Sequence, residues 1–192
     1  MGGTSWSYIA PYQEDIEKAL QELSQEVFDR GDFERPLDAL YGLNDLEGAG
    51  FFSADEQERQ EIVAQYSVEA LNVLLERVGL NNLRAELRSL TDAATLSSLD
   101  DLRALQCLSA NGTHFILDIT RVASKPGSGT VVPVPPEEAT RLFGTDKPNR
   151  QIIEDAVRWG KLDTGSRWQG VCLIAYDDDR PTGFYFVGSS GD

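Results

Sequence analysis

Between Glu14 and Arg30 the apolar residues Ile16, Ala19, Leu20, Leu23, Val27 and Phe28 recur at helical spacing, and Gly31 stands where a left-handed helix end is wanted. The pattern predicts an amphipathic helix over 14–30. Its opposite side carries Glu14, Glu17, Gln21, Glu22, Gln25 and Glu26, an acidic band that serves either as a docking surface or simply as the solvated side of the helix. Ahead of it, residues 4–9 are β-prone and put Trp6 and Tyr8 on one side of an extended segment that Pro11 ends, so a short first strand is expected.

Glycines and Pro36 punctuate residues 31–52, which read as a connector ending in Phe51-Phe52. Ser53 and Glu56 then match a capping box, and Val63, Tyr66, Ala70, Leu71, Leu74 and Val78 carry one long helical stripe to a stop at Gly79. Leu83, Leu87 and Leu90 share a stripe in 80–90, and Ser98 before Leu99, Leu102 and Leu105 opens one more helix. The helix-rich stretch at about 53–90 is therefore expected as an insertion in a smaller strand-bearing unit, within a single domain.

Thr113 to Val122 alternates, with Phe115, Leu117 and Ile119 on one face and His114, Ile116, Asp118 and Thr120 on the other, the pattern of a central strand. Lys125-Pro-Gly-Ser-Gly is a turn and 130–134 is extended. Pro135-Pro136 starts a short helix closed at Gly144, and Pro148 is placed as the first residue of a helix through Ile152, Ile153, Ala156 and Val157 to Gly160. Residues 170–176 and 183–187 read as an antiparallel hairpin joined by the longer loop 177–182. The expected class is α+β, an antiparallel or mixed sheet packed by amphipathic helices with a helix-rich middle segment.

Charge narrows the partner. The 192 residues carry a formal net charge of −15. This disfavours a duplex nucleic-acid backbone and an anionic membrane and favours a basic protein. Cys107 and Cys172 each sit in an apolar run and read as core thiols. The N-terminal residues show neither the basic start nor the apolar stretch of a leader, so a cytoplasmic location is expected.

Candidate chemistry is sparse. His114, the single histidine, faces the same way as Asp118 on the expected strand, which makes the two catalytic candidates, with Cys107 or Cys172 as the third member of a Cys-His-Asp set and a hydrogen-bonded structural histidine as the plainer reading. Asp177, Asp178 and Asp179 offer carboxylates to a hard cation, but their spacing departs from the alternating calcium loop and suits a turn. Phosphate-loop, dinucleotide, zinc-protease and nucleophile-elbow motifs are absent, and no metal or cofactor is expected.

If the last strand lies at a sheet edge, Tyr185 or the Phe184/Phe186 pair faces outward unless a helix covers it. An exposed Tyr185 beside Asp177, Asp178, Asp179 and the helix acids Glu22 and Glu26 would then form a binding patch. Three functions follow. The first is an acidic binding module, such as a bacterial immunity or antitoxin-type inhibitor of a basic protein. The second is a small metal-dependent enzyme using Asp carboxylates, and the third a structural subunit of a larger assembly.

Overall fold

The computed structural model describes residues 4–34, 36, 39–66, 71–92, 96–109, 113 and 115–190. Two compact units divide the chain: Met1–Phe33 with Thr113–Asp192, and Glu34–Gly112. The first holds all five strands of a mixed sheet packed by helices, which makes the fold α+β. The second is helical and continuous in sequence, and it runs well beyond both ends of the expected insertion at 53–90.

In the sheet unit, β1 (Ser5–Pro11) leads into α1 (Ile16–Arg30). The helix forms where its stripe says it should. Asp15 caps it by accepting the Lys18 N–H at 3.1 Å, Gly31 ends it at φ 70°, and Ala19, Leu20, Leu23 and Val27 are buried. After the helical unit the chain makes a 3-10 turn at Ile116–Asp118, then β2 (Arg121–Val122) and β3 (Thr130–Pro133).

The expected central strand over 113–122 is thus reduced to a turn and a two-residue edge strand. Ile116, Leu117, Asp118 and Ile119 are all buried, so there is no in-and-out alternation for a strand to follow. Asp118 closes the turn, its Oδ1 accepting from the Thr113 N–H at 2.6 Å and the Thr113 hydroxyl at 2.8 Å.

Two helices of this unit remain. The helix over Pro136–Phe143 has proline in its first turn and Gly144 as a left-handed end. The helix over Arg150–Arg158 is capped by Asn149, which accepts from the Ile152 N–H at 3.0 Å, so Pro148 lies outside it. The hairpin of β4 (Gln169–Asp177) and β5 (Arg180–Ser189) closes the sheet. Its turn is Asp178-Asp179 alone, with Asp178 at φ 51°, rather than the six-residue loop expected.

Strand order is β1-β5-β4-β3-β2, antiparallel across β1/β5 and β5/β4 and parallel across β4/β3 and β3/β2. β5 is therefore an interior strand. Pairing sets the two faces: Trp6, Tyr8 and Ala10 align with Gly188, Phe186 and Phe184, and these with Gly170, Cys172 and Ile174. The other face carries Leu173, Ala175 and Tyr185, packed with Ile153 and Val157. Gly188 and Gly170 are required beneath Trp6. A Cβ at Gly170 would come 2.8 Å from the Val187 carbonyl oxygen and 2.9 Å from the Trp6 ring.

The helical unit comprises α2 (Ala39–Gly48), α3 (Glu56–Tyr66), α4 (Leu71–Val78), α5 (Leu80–Asp92) and α6 (Leu99–Gln106). The two sheet-unit helices that follow are α7 (Pro136–Phe143) and α8 (Arg150–Arg158). α2 occupies the expected connector, and residues 67–70 between α3 and α4 lie outside the described residues. The capping box is Asp55 with Glu58, not Ser53 with Glu56. Asp55 accepts from the Glu58 N–H at 2.9 Å and Glu58 from the Asp55 N–H at 3.1 Å, while the Ser53 hydroxyl donates to the Gly50 carbonyl at 3.1 Å. Leu43, Leu46, Phe51, Val63, Leu74, Leu83, Leu87 and Leu105 form its core.

Candidate functional site

The fold separates the two groups of candidate carboxylates. Asp118 lies just before β2, and Gly129 both accepts from the Thr120 N–H and donates to the Trp168 carbonyl, which ties that region to the start of β4. Asp177, Asp178 and Asp179 lie at the far end of the same strand, eight residues on from Gln169, or about 26 Å at strand rise. They do not converge. Among the described residues no group of three or more His, Cys, Asp or Glu side chains is disposed to hold a metal ion. His114 lies outside the described residues, so its expected pairing with Asp118 does too. Burial pushes the Cys172 thiol up to about 12, far from thiolate chemistry at neutral pH.

Tyr185 is a core residue. It is 3% exposed, and its hydroxyl donates to Glu154 Oε1 at 3.0 Å. Burial, then that hydrogen bond to a carboxylate, push its pKa up to about 12. The structure thus removes Tyr185 from the expected surface patch, because β5 has β1 on one side and β4 on the other and α8 packs over the face that Tyr185 occupies. The hairpin acids are exposed and occupied with the turn. Asp179 meets Lys147 at 2.6 Å, and hydrogen bonding from that ammonium lowers the Asp179 pKa.

Just before α1 Glu14 is exposed, and on α1 Glu22, Glu26 and Asp29 are exposed with Lys18 and Arg30 among them. Glu22 lies 3.6 Å from Lys18 and Glu26 3.3 Å from Arg30, geometry that at the surface contributes little stability. Glu17 belongs elsewhere: its carboxylate accepts the Val122 N–H at 2.7 Å and anchors the edge strand β2. Residues 14–32 hold seven acidic and two basic side chains, whereas residues 113–192 hold eleven and nine. Most of the negative excess of the sheet unit, five charges of seven, therefore lies on and around α1. The residues Glu22 and Glu26 named from the sequence stand within it.

Sequence reasoning missed two further features. One is a cleft of about 360 Å³ where α7 and residues 161–165 leave β3 and β4 uncovered, walled by Val132, Val134, Leu142, Leu162 and Val171. Its volume suits a small ligand. Its loop polar groups, however, satisfy one another, the Gly165 N–H donating to Asp163 at 2.9 Å and the Ser166 N–H to Gln169 at 3.1 Å.

The other is the outer edge of β1. Thr4 accepts the Ser190 N–H at 3.0 Å and the Tyr12 N–H donates to Thr182 at 3.2 Å, so even-numbered residues face β5. Alternation turns the backbone polar groups of Ser5, Ser7 and Ile9 outward. The absence of charge in Ser-Trp-Ser-Tyr-Ile-Ala-Pro was legible in the sequence, but its place at an edge was not.

No helix among the described residues is long and apolar enough to cross a membrane. Compared with protein families, characterised proteins and solved structures, the chain matches none.

Proposed function

We propose that this chain is a protein-binding module that docks a basic partner, of the kind served by a bacterial immunity or antitoxin-type inhibitor of a cationic toxin. The observation that carries the reading is the concentration of most of the sheet unit's negative excess in residues 14–32, with Glu14 exposed just before α1 and Glu22, Glu26 and Asp29 exposed on it. A single-sign surface steers an oppositely charged protein to encounter and suppresses wrong partners, and it does so without a catalytic constellation. The metal-enzyme reading loses its geometric support, because it needs Asp118 and Asp177 to Asp179 in one place and they sit at opposite ends of β4.

The test is affinity capture from the source lysate with the full chain as bait, at low and at high salt. A basic protein retained at low salt and released at high salt supports docking, because exposed charges are screened beyond about 10 Å at 0.1 M salt. Recovery of no basic protein contradicts it.

A further inference from the structure

We infer that the outer edge of β1 accepts an extended basic segment of the partner, which adds to the sheet as a further strand. The inference rests on the docking reading above and specifies how the partner is held. β1 ends the strand order, and no strand among the described residues lies beyond it. Its seven residues span about 23 Å at strand rise. Edges of this length are ordinarily blunted by charged side chains, bulges or prolines along their length. β1 has only Pro11, at its end, and leaves the N–H and C=O groups of Ser5, Ser7 and Ile9 turned outward.

The surroundings select the occupant. Side chains of an added strand alternate between the two faces of the sheet. On the face of Trp6 and Tyr8 they would lie toward the end of α1, where Arg30 and Asp32 act as charges on the Tyr8 hydroxyl. Arg30 is already shared between Glu26 at 3.3 Å and Asp32 at 3.2 Å, so two carboxylates meet one guanidinium. That surplus suits Lys or Arg on the incoming strand.

On the opposite face the side chains of Ser5 and Ser7 border a recess of about 170 Å³ whose walls include Val157, Leu162 and Val187. Ile9 on this face is 44% exposed, so apolar residues suit that side of the incoming strand. A second copy is the poorer occupant, since each chain brings a net charge of −15 to the contact. The fitting segment alternates basic and apolar residues.

The experiment uses the full chain and a capped Lys-Val-Lys-Val-Lys-Val-Lys peptide, with a second peptide of the same sequence N-methylated on alternate residues along one edge and a third in which Glu replaces Lys. Binding is read by fluorescence anisotropy, and hydrogen exchange is followed at the Ser5, Ser7 and Ile9 amides. The expected result is binding at least tenfold tighter for the unmethylated basic peptide than for either other peptide, with slowed exchange at those three amides. Ser7→Pro, which deletes one outward donor, should weaken binding at least fivefold, and Ser7→Ala, which keeps it, should bind as the parent does.

Equal binding of the methylated peptide, or protection confined to α1, would overturn the edge and leave charge-driven docking standing. Absence of peptide binding would overturn the edge, while the docking reading is judged by the lysate capture. Exchange at the β1 amides that slows with protein concentration alone would assign the edge to a second copy and overturn the inference.

Discussion

The sheet unit and the helical unit bury their cores by different routes. In the helical unit, elements close in sequence pack an aliphatic core of leucines with Phe51. In the sheet unit the two ends of the chain must meet: Ser5 pairs with Ser189, and Trp6 lies over Gly188. Each unit also buries an aspartate. The Asp101 carboxylate meets the Arg77 guanidinium at 2.6 Å and accepts from the Ser97 hydroxyl, while its backbone N–H donates to the Ser98 hydroxyl, whereas Asp118 is held by the backbone and hydroxyl of Thr113. The first kind of core is assembled from elements that follow one another, although α2 escaped the local signals, and the second is decided by pairing that no short window contains.

Truncating the cores gives the largest effects. Phe186→Ala in the sheet and Phe51→Ala in the helical unit, both fully buried, should each cost about 3–5 kcal/mol by denaturant titration. Gly188→Ala comes next at about 2–3 kcal/mol, since its Cβ would press on the Trp6 ring and stand 2.6 Å from the Gln169 carbonyl. A change below 0.5 kcal/mol there would show that Trp6 does not depend on glycine.

Asp101→Ala follows at about 2 kcal/mol through the lost charge-assisted hydrogen bonds from Arg77 and Ser97. Burial pushes the Asp101 carboxyl up, but hydrogen bonds from Ser97, Arg77 and Ser98 outweigh it and leave the pKa below the ordinary value. The stabilisation is therefore present above the unfolded pKa of about 4 and is lost as pH falls through the lower folded value. Protection from hydrogen exchange within α6, which carries Asp101, should fall over that acid window in the parent, and the Asp101→Asn variant should lack this pH-dependent component.

The smallest stability effects belong to α1's surface. Glu22→Gln and Glu26→Gln should each shift stability by less than about 0.5 kcal/mol in thermal melts. A larger loss would make that acidic band structural.

What the sequence discloses depends on how local each signal is. α1 was legible with its stripe and its end at Gly31, but it starts at Ile16 rather than 14 because Asp15, not singled out in the sequence, caps it. The hairpin was legible as a hairpin, and the acids of α1 as an exposed band. The box at Asp55 was obscured by a matching pattern two residues earlier, and only the hydrogen bonds choose between them. The segment at Ile116–Ile119 alternated like a strand, but it is buried on every side and its Asp118 closes a turn. Tyr185 was misplaced for a nonlocal reason: whether β5 lies at an edge depends on where Ser5–Pro11 pairs. The uncharged edge of β1 could be seen only once that pairing was known.

The most direct test of the central claim is capture of a partner by the parent chain beside a variant carrying Glu14→Gln, Glu22→Gln, Glu26→Gln and Asp29→Asn, at one low salt concentration. The account predicts a basic protein retained by the parent and lost from the neutralised variant, both baits being equally folded. Equal retention by the two baits, or no basic protein on either, would contradict it.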